Sequence, residues 1–225
     1  MRIAVIIPCL NEAAHITATL TPLQALRQND HEIIVVDGQS DDNTAALAAP
    51  LANQVISCPH GRAQQMNYGA QLADADVLLF LHADTQLPQG ADKLIVDQLS
   101  QSSRQWGYFG VRLGGNQFWL RLVEFMMNQR SRLSAIATGD QAIFVQRALF
   151  EKVGGFPNIA LMEDIGLSKQ LKHYSKPIRL SDKVITSSRR WEEQGIWRTI
   201  LLMWRLRLAY FFGADPQDLK RQYDS

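Results

Sequence analysis

Short unbroken apolar runs punctuate the first part of the chain, at residues 3–7, 33–36 and 77–81, with a weaker one at 55–56. They are rich in β-branched residues and do not alternate with polar ones, which predicts strands buried on both faces. Between them the period changes. Ala13, Ile16, Leu20, Leu23 and Leu26 recur every three or four residues, predicting a helix that Pro22 kinks or splits. Further helices are expected at 44–51 and 63–72. Strands alternating with helices imply right-handed βαβ units and a parallel sheet. Beyond residue 101 the pattern loosens: a strand at 107–113, a helix at 118–132, a strand at 141–145, and a turn at Gly154 and Gly155. A helix at 165–173, short strands at 178–180 and 184–186, and an apolar helix at 197–212 complete the prediction. With no repeat, low-complexity stretch or linker, residues 1–225 read as a single α/β domain.

Ligands of open parallel sheets bind outside the carboxyl ends of the strands. Three polar clusters follow predicted strands: Pro8 to Glu12, Asp37 to Thr44, and His82 to Thr85. Each alone reads as turn or cap chemistry; together on one edge they read as a ligand site. Neither GxGxxG nor GxxxxGK[ST] stands there, so dinucleotide and P-loop binding are not indicated. Carboxylates stand there instead. Asp37, Asp42 and Asp84 would repel one another unless a divalent cation, Mg or Mn, or the donor groups of a sugar compensate.

These residues carry a resemblance to the inverting family 2 glycosyltransferases, whose GT-A (Rossmann-like) fold has a mostly parallel central sheet flanked by helices. IIPCLNE (6–12), EIIVVDGQSDDNT (32–44), GRAQQMNYGA (61–70) and LLFLHADT (78–85) carry it, continued by GDQ (139–141), GGF (154–156) and MED (162–164). The run 61–85, with TSSRRWEEQG at 186–195, is similar to a compact bacterial subgroup of that family. The resemblance implies transfer of a sugar from a nucleotide-diphosphate sugar to an unknown acceptor. Residues 1–100 would form the nucleotide-sugar half, 101–188 the acceptor half, and 189–225 a basic, apolar, helical C-terminal extension. It places Pro8, Asn11, Glu12, Asp37, Asp42, Arg62 and Asn67 at the nucleotide. Asp84 matches the last carboxylate of the DxD motif that holds the metal. His82 departs from the first DxD position; it is a ligand to metal or ribose, or a packing residue. Asp164 matches the general base, with Glu163 beside it as the alternative; Asp164 also reads as an N-cap for a helix starting at Ile165. Gly139, Asp140 and Gln141 would shape the acceptor side. Arg189, Arg190 and Trp191 resemble the RW element that processive relatives place near the diphosphate and acceptor; the full QxxRW pattern is absent, so processivity is not implied. Two other readings are weighed: a non-catalytic nucleotide-sugar binding protein, and a sugar-phosphate nucleotidyltransferase, whose GxGxR segment is absent.

Composition sharpens the partners. The formal charge of +1 argues against a nucleic-acid binder, yet it hides an asymmetry. Residues 1–100 hold four Lys/Arg against eleven Asp/Glu, and residues 101–225 nineteen against eleven, nets of −7 and +8. The cationic half suits a diphosphate, an anionic or lipid-linked acceptor, or an anionic membrane. Two distant cysteines, Cys9 and Cys58, suggest no disulfide and a cytoplasmic location, with peripheral contact at the inner face of the membrane as the alternative. On the 197–212 helix, Arg198 and Arg205 share a face while Arg207 points nearly opposite. That segment is expected to pack on the core, on a partner such as a second copy, or on a membrane surface.

Overall fold

The computed structural model describes residues 1–224; Ser225 and the side chain of Arg190, one of the sequence-predicted site residues, lie outside the described residues. The strands are β1 (Ile3–Cys9), β2 (Glu32–Asp37), β3 (Gln54–Ser57), β4 (Val77–Phe80), β5 (Thr85–Gln86), β6 (Trp106–Leu113), β7 (Ile143–Gln146) and β8 (Ile178–Thr186). They form one curled sheet in the order β3-β2-β1-β4-β7-β6-β8-β5. The first four run parallel, as the alternation predicts. The β4–β7, β7–β6 and β8–β5 pairs are antiparallel, and β6–β8 is parallel.

Alternate residues of β1 serve two cores. Ile3, Val5 and Ile7 pack with α1 (Ile16–Leu20), α2 (Gln24–Gln28) and α5 (Ala91–Ser100). Ala4 and Ile6 face α4 (Arg62–Leu72), α7 (Arg147–Lys152) and α8 (Glu163–Lys172). This two-sided burial explains why the β1 segment reads as a continuous apolar run. Pro8 sits where β4 no longer pairs, since that register ends at Ile6 opposite Phe80, so its missing N–H opens no gap in the β1–β4 ladder.

Pro22 splits the first predicted helix into α1 and α2, and Pro50 ends α3 (Thr44–Ala48) in a 3₁₀ turn, Ala49–Leu51. The two short strands expected at 178–180 and 184–186 are one strand, β8. Ser181, Asp182 and Lys183 interrupt the apolar pattern because the register with β6 slips between Tyr108 and Gly110. The strand expected at 141–145 begins at Ile143, because Gly139–Gln141 is a 3₁₀ turn closed by a Thr138–Gln141 capping box. After β8 the chain forms α9 (Arg189–Glu193), α10 (Ile196–Phe211) and α11 (Pro216–Asp224). The long helix α6 (Phe118–Ser134) packs against β6, and α10 crosses from α6 to the segment before α8.

Candidate active site

The chain leaves β1 to build β2 and β3 on one side, then returns to place β4 on the other side of β1. The carboxyl ends of β1 and β4 therefore form a switch point, where a crevice opens. All three predicted polar clusters lie on this edge.

The first two clusters are laced together. Asp41 N–H donates to Asn11 Oδ1 at 2.9 Å, and Asn11 N–H to Ser40 Oγ at 2.9 Å. Asp37, almost fully buried, accepts from the Ser40 amide at 3.0 Å and from the Ser40 hydroxyl at 2.5 Å. Asp42 accepts from the amides of Ala13 at 3.1 Å and Thr44 at 2.9 Å, and from the Thr44 hydroxyl. The hydrogen bond from the Thr44 hydroxyl leads the contacts holding its carboxyl below the usual range, so Asp42 is a standing anion bracing two loops. Asn11 and Gln39 both hold left-handed backbone conformations here, with φ of 55° and 67°. Such strain persists only where surrounding contacts enforce it.

Arg189 arrives from the far end of the sequence. β5 pairs with the end of β8, with Thr85 and Thr186 hydroxyls 2.9 Å apart, so residues 187–189 emerge beside the β4 loop. Arg189 Nη2 then lies 3.6 Å from Glu12 Oε1, and its Nη1 3.0 Å from His15 Nε2. Burial, followed by the charge of Asp84, pushes the Glu12 carboxyl up, against the pull of Arg189 and His15. Glu12 Oε2 is buried with no hydrogen-bond partner among the described residues, leaving an acceptor for a ligand donor.

Arg62 opens α4 and sets its Nη1 3.6 Å from Glu163 Oε1. Asn67, on the same helix, does not face the crevice loops. Its amide donates to the Phe156 carbonyl and accepts from the Phe156 amide, both at 2.9 Å. This two-way bond anchors the Gly154–Gly155 turn. A Cβ on Gly155, whose φ is +76°, would come within 2.6 Å of Asn67 Oδ1. Trp191, expected on the acceptor or diphosphate side, packs with Leu113, Leu120, Val123 and Ile200 in the seam between α6 and α10.

The acidic pair sits across the crevice. Met162, at φ 70°, occupies the N-cap of α8, and the helix begins at Glu163, so Asp164 lies inside the first turn rather than at the cap. Asp164 Oδ1 accepts from the Ile165 amide at 2.7 Å and Oδ2 from the Gly139 amide at 2.8 Å. Burial first, then the neighbouring Glu163 charge, lifts the Asp164 carboxyl from 3.8 to about 6, against those two amides and Arg62. A carboxylate poised there is suited to taking a proton near neutral pH.

His82 turns both ring nitrogens toward the 139–140 turn. Nδ1 is 3.4 Å from Asp140 Oδ1, and Nε2 is buried under Gly139 without a hydrogen-bond partner among the described residues. A Cβ on Gly139 would lie 2.3 Å from Nε2, so only glycine lets the turn cover the ring. Although burial works against its charge, His82, Arg62 and Arg130 hold the Asp140 carboxyl below the usual range. Gln141 is fully buried; it accepts from the Ser131 hydroxyl at 2.7 Å and supports the turn from beneath. A cavity of about 10 Å³, room for about one water, lies between His82, Gly139, Glu163 and Asp164.

Two groups escaped the sequence reading. Arg130 of α6 donates to Thr138 Oγ1 at 3.2 Å; burial lowers its pKa, and the charges of Asp164 and Asp140 hold it up. Tyr210 of α10 packs with Leu161, Met162 and Ile165 around the start of α8, and its pKa is pushed up by burial, then by Asp164 and Glu163. No local signal marks either one: Arg130 reads as a solvated helix face and Tyr210 as part of an apolar helix.

Among the described residues, no three His, Cys, Asp or Glu side chains gather into a metal site. Asp84, partly exposed, accepts from the Thr85 hydroxyl at 3.3 Å and keeps oxygen lone pairs free. One carboxylate with substrate phosphates is a usual way to hold Mg or Mn, so the donor set fits a cation brought with a diphosphate rather than a preformed cage.

The model of glycosyl transferase family 2 matches residues 4–152. The chain is 30% identical over 108 residues to the poly-beta-1,6-N-acetyl-D-glucosamine synthase of Staphylococcus aureus (strain COL), covering 45% of this chain and 26% of that enzyme's length. It is 32% identical over 169 residues to the PGL/p-HBAD biosynthesis glycosyltransferase of Mycobacterium bovis (strain BCG / Pasteur 1173P2), covering 68% of this chain and 62% of that protein. Among solved structures it resembles S. aureus TarS 1–349 in complex with UDP-GlcNAc, at TM-score 0.68 and 19% identity, covering 83% of this chain and 58% of that one. It also resembles the mannosyltransferase PcManGT of Pyrobaculum calidifontis in complex with GDP-Man and Mn2+, at TM-score 0.67 and 22% identity, covering 92% and 61%. The switch-point crevice, the GT-A architecture and the family match agree: the chain belongs to glycosyl transferase family 2.

Proposed function

We propose that this chain transfers a sugar from a nucleotide-diphosphate sugar to an acceptor hydroxyl, with inversion at the anomeric carbon. The observation that carries this reading is Asp164, held by the Gly139 and Ile165 amides across the crevice from the β1, β2 and β4 loops, with its carboxyl raised to about 6. The nucleotide sugars bound by TarS and PcManGT support the donor class. Residues 1–100 form the donor half, 101–188 the acceptor half, and 189–225 an extension that covers the acceptor half.

In this reading the nucleoside sits among Pro8, Asn11, Glu12 and Asp37, with Asp42 holding the loops and the unpartnered Glu12 oxygen accepting from the ligand. The acceptor oxygen attacks the anomeric carbon as the bond to the diphosphate breaks, and its proton passes to Asp164. Glu163 holds Arg62 beside the site and keeps Asp164 basic. Arg62 and Arg189 stabilise charge growing on the leaving diphosphate by charge-assisted hydrogen bonds. Asp84 would hold a divalent cation, which would supply Lewis-acid neutralisation of the diphosphate oxygens.

Calorimetry and product analysis with UDP-GlcNAc and GDP-mannose, each with and without Mn2+, test the reading. One donor should bind more tightly with Mn2+, and Asp84→Ala should remove the Mn2+ effect. Asp164→Asn should leave binding intact and lower release of the nucleoside diphosphate by about 10²- to 10⁴-fold. Binding without release by the wild type would favour a non-catalytic nucleotide-sugar protein.

A further inference from the structure

We propose that the outward faces of α6 and α10 form one docking surface for an anionic phospholipid bilayer, laid in the headgroup region rather than crossing it. Among the described residues no helix is long and apolar enough to cross a membrane.

On α10 the exposed large side chains are Trp197, Leu201, Trp204, Leu208 and Phe211. At about 100° per residue they share one stripe of roughly a quarter turn. Leu206 and Tyr210 occupy the opposite face and pack toward Leu161, Met162 and Ile165 before and in α8. On α6, Phe118, Trp119 and Phe125 are also exposed. The Trp119 and Trp197 rings meet edge to face, 5.1 Å between centroids, and join the two stripes. Phe118 is 76% exposed and Phe211 73%. Aromatic side chains present about 150–250 Å² each, so the combined patch is on the order of 1,000 Å², beyond the ~300–600 Å² of an ordinary monomer's largest patch.

Charge decides the occupant. Arg198 and Arg205, the latter also donating to Gln222 Oε1 at 2.6 Å, lie along one border of the α10 stripe, and Arg207, half-buried with its Nε covered, lies along the other, so the cations flank the apolar face instead of opposing it. α10 carries no carboxylate, and the one in α6, Glu124, is already paired with Arg121 at 2.7 Å. A second copy packed on this surface would bring arginines against arginines. Lipid phosphates complement them, each nearby cation adding about 1 kcal/mol, while the aromatic rings enter the acyl boundary. Because the inner face of α10 packs on Leu161, Met162 and Ile165, which bracket Glu163 and Asp164 in the chain, docking would hold that pair about one helix thickness, ~10 Å, from the lipid.

Vesicle flotation of the full chain tests this without any sugar donor. The chain should float with phosphatidylcholine vesicles that contain phosphatidylglycerol, at least about tenfold more than with phosphatidylcholine alone, and less at high salt. The double variant Trp204→Glu, Leu208→Glu should lose about tenfold or more of this binding while keeping the wild-type circular-dichroism melt. Brominated phosphatidylcholine in the same vesicles should quench the wild type's tryptophan fluorescence, a readout that needs no variant. Absence of both flotation and quenching overturns the proposal. So does a sedimentation-equilibrium dimer that the double variant splits while vesicles leave the wild type unbound.

Discussion

Replacing Glu163 by glutamine isolates one cause of the Asp164 shift. Glu163 is buried, 3.6 Å from Arg62, and adjacent to Asp164 in the first turn of α8. The Asp164 carboxyl stands at about 6 against 3.8 for the free side chain, with burial the larger cause and Glu163 the next. Glu163 is therefore the second of two raising causes, which together outweigh the lowering pull of the two amides and Arg62. A charge ~6 Å away at an effective dielectric of ~20–40 acts with about 1.5–3 kcal/mol, or about 1–2 units. At the lower end of that range the change is about one unit, and Arg62, released from Glu163, pulls the same way. Glu163→Gln should thus bring Asp164 to about 5. At pH 5 its ionised fraction would climb from about one tenth to about one half, roughly a fivefold change.

The sign follows from the carboxyl being raised. The folded state binds this proton more tightly than the unfolded chain, so Asp164 contributes relative stability below pH 4 that is lost as pH climbs through about 6. Activity runs the other way, because a base must be ionised: it should rise through pH 6 and then level off. Carbon-13 NMR of labelled aspartate carboxyls, with Asp164→Asn identifying the signal, reads the titration without substrate. A wild-type value near 4, or a value near 6 that Glu163→Gln leaves in place, would refute the like-charge argument.

Two other perturbations separate packing from ligand binding. Gly139→Ala drives a methyl group to 2.3 Å from His82 Nε2, and should cost about 1–3 kcal/mol in chemical denaturation; adding His82→Ala should recover most of it, and no recovery would mean the ring is not the obstacle. Arg189→Ala breaks a half-exposed pair with Glu12, so stability should change by less than about 1 kcal/mol. Its affinity for UDP or GDP, measured by calorimetry, should nevertheless weaken by about tenfold; an unchanged affinity would remove Arg189 from the diphosphate.

The site was legible where function rests on local chemistry at strand ends. The runs at 3–7, 33–36 and 77–81 mark β1, β2 and β4, and the clusters that follow them meet on one edge because parallel strands share a direction. Asn67 and Trp191 were less legible. Their partners, Phe156 for one and the α6–α10 seam for the other, lie far off in sequence or depend on helix rotation.

The amino-acid sequence by itself determined the parallel half of the sheet, the helix break at Pro22, and the carboxylates that line the crevice. Each of these follows from period, proline geometry or residue chemistry within a few positions. Tertiary structure decided the rest. The pairing of β5 with β8 carries Arg189 to Glu12, and the packing of α10 sets Tyr210 against Leu161 and Met162 while leaving Trp197 and Trp204 outward. A helix that is apolar around most of its circumference has no preferred inner face in the sequence. Only the surface it meets, Leu161 and Met162 on one side and Leu120 and Val123 on the other, selects which stripe stays exposed.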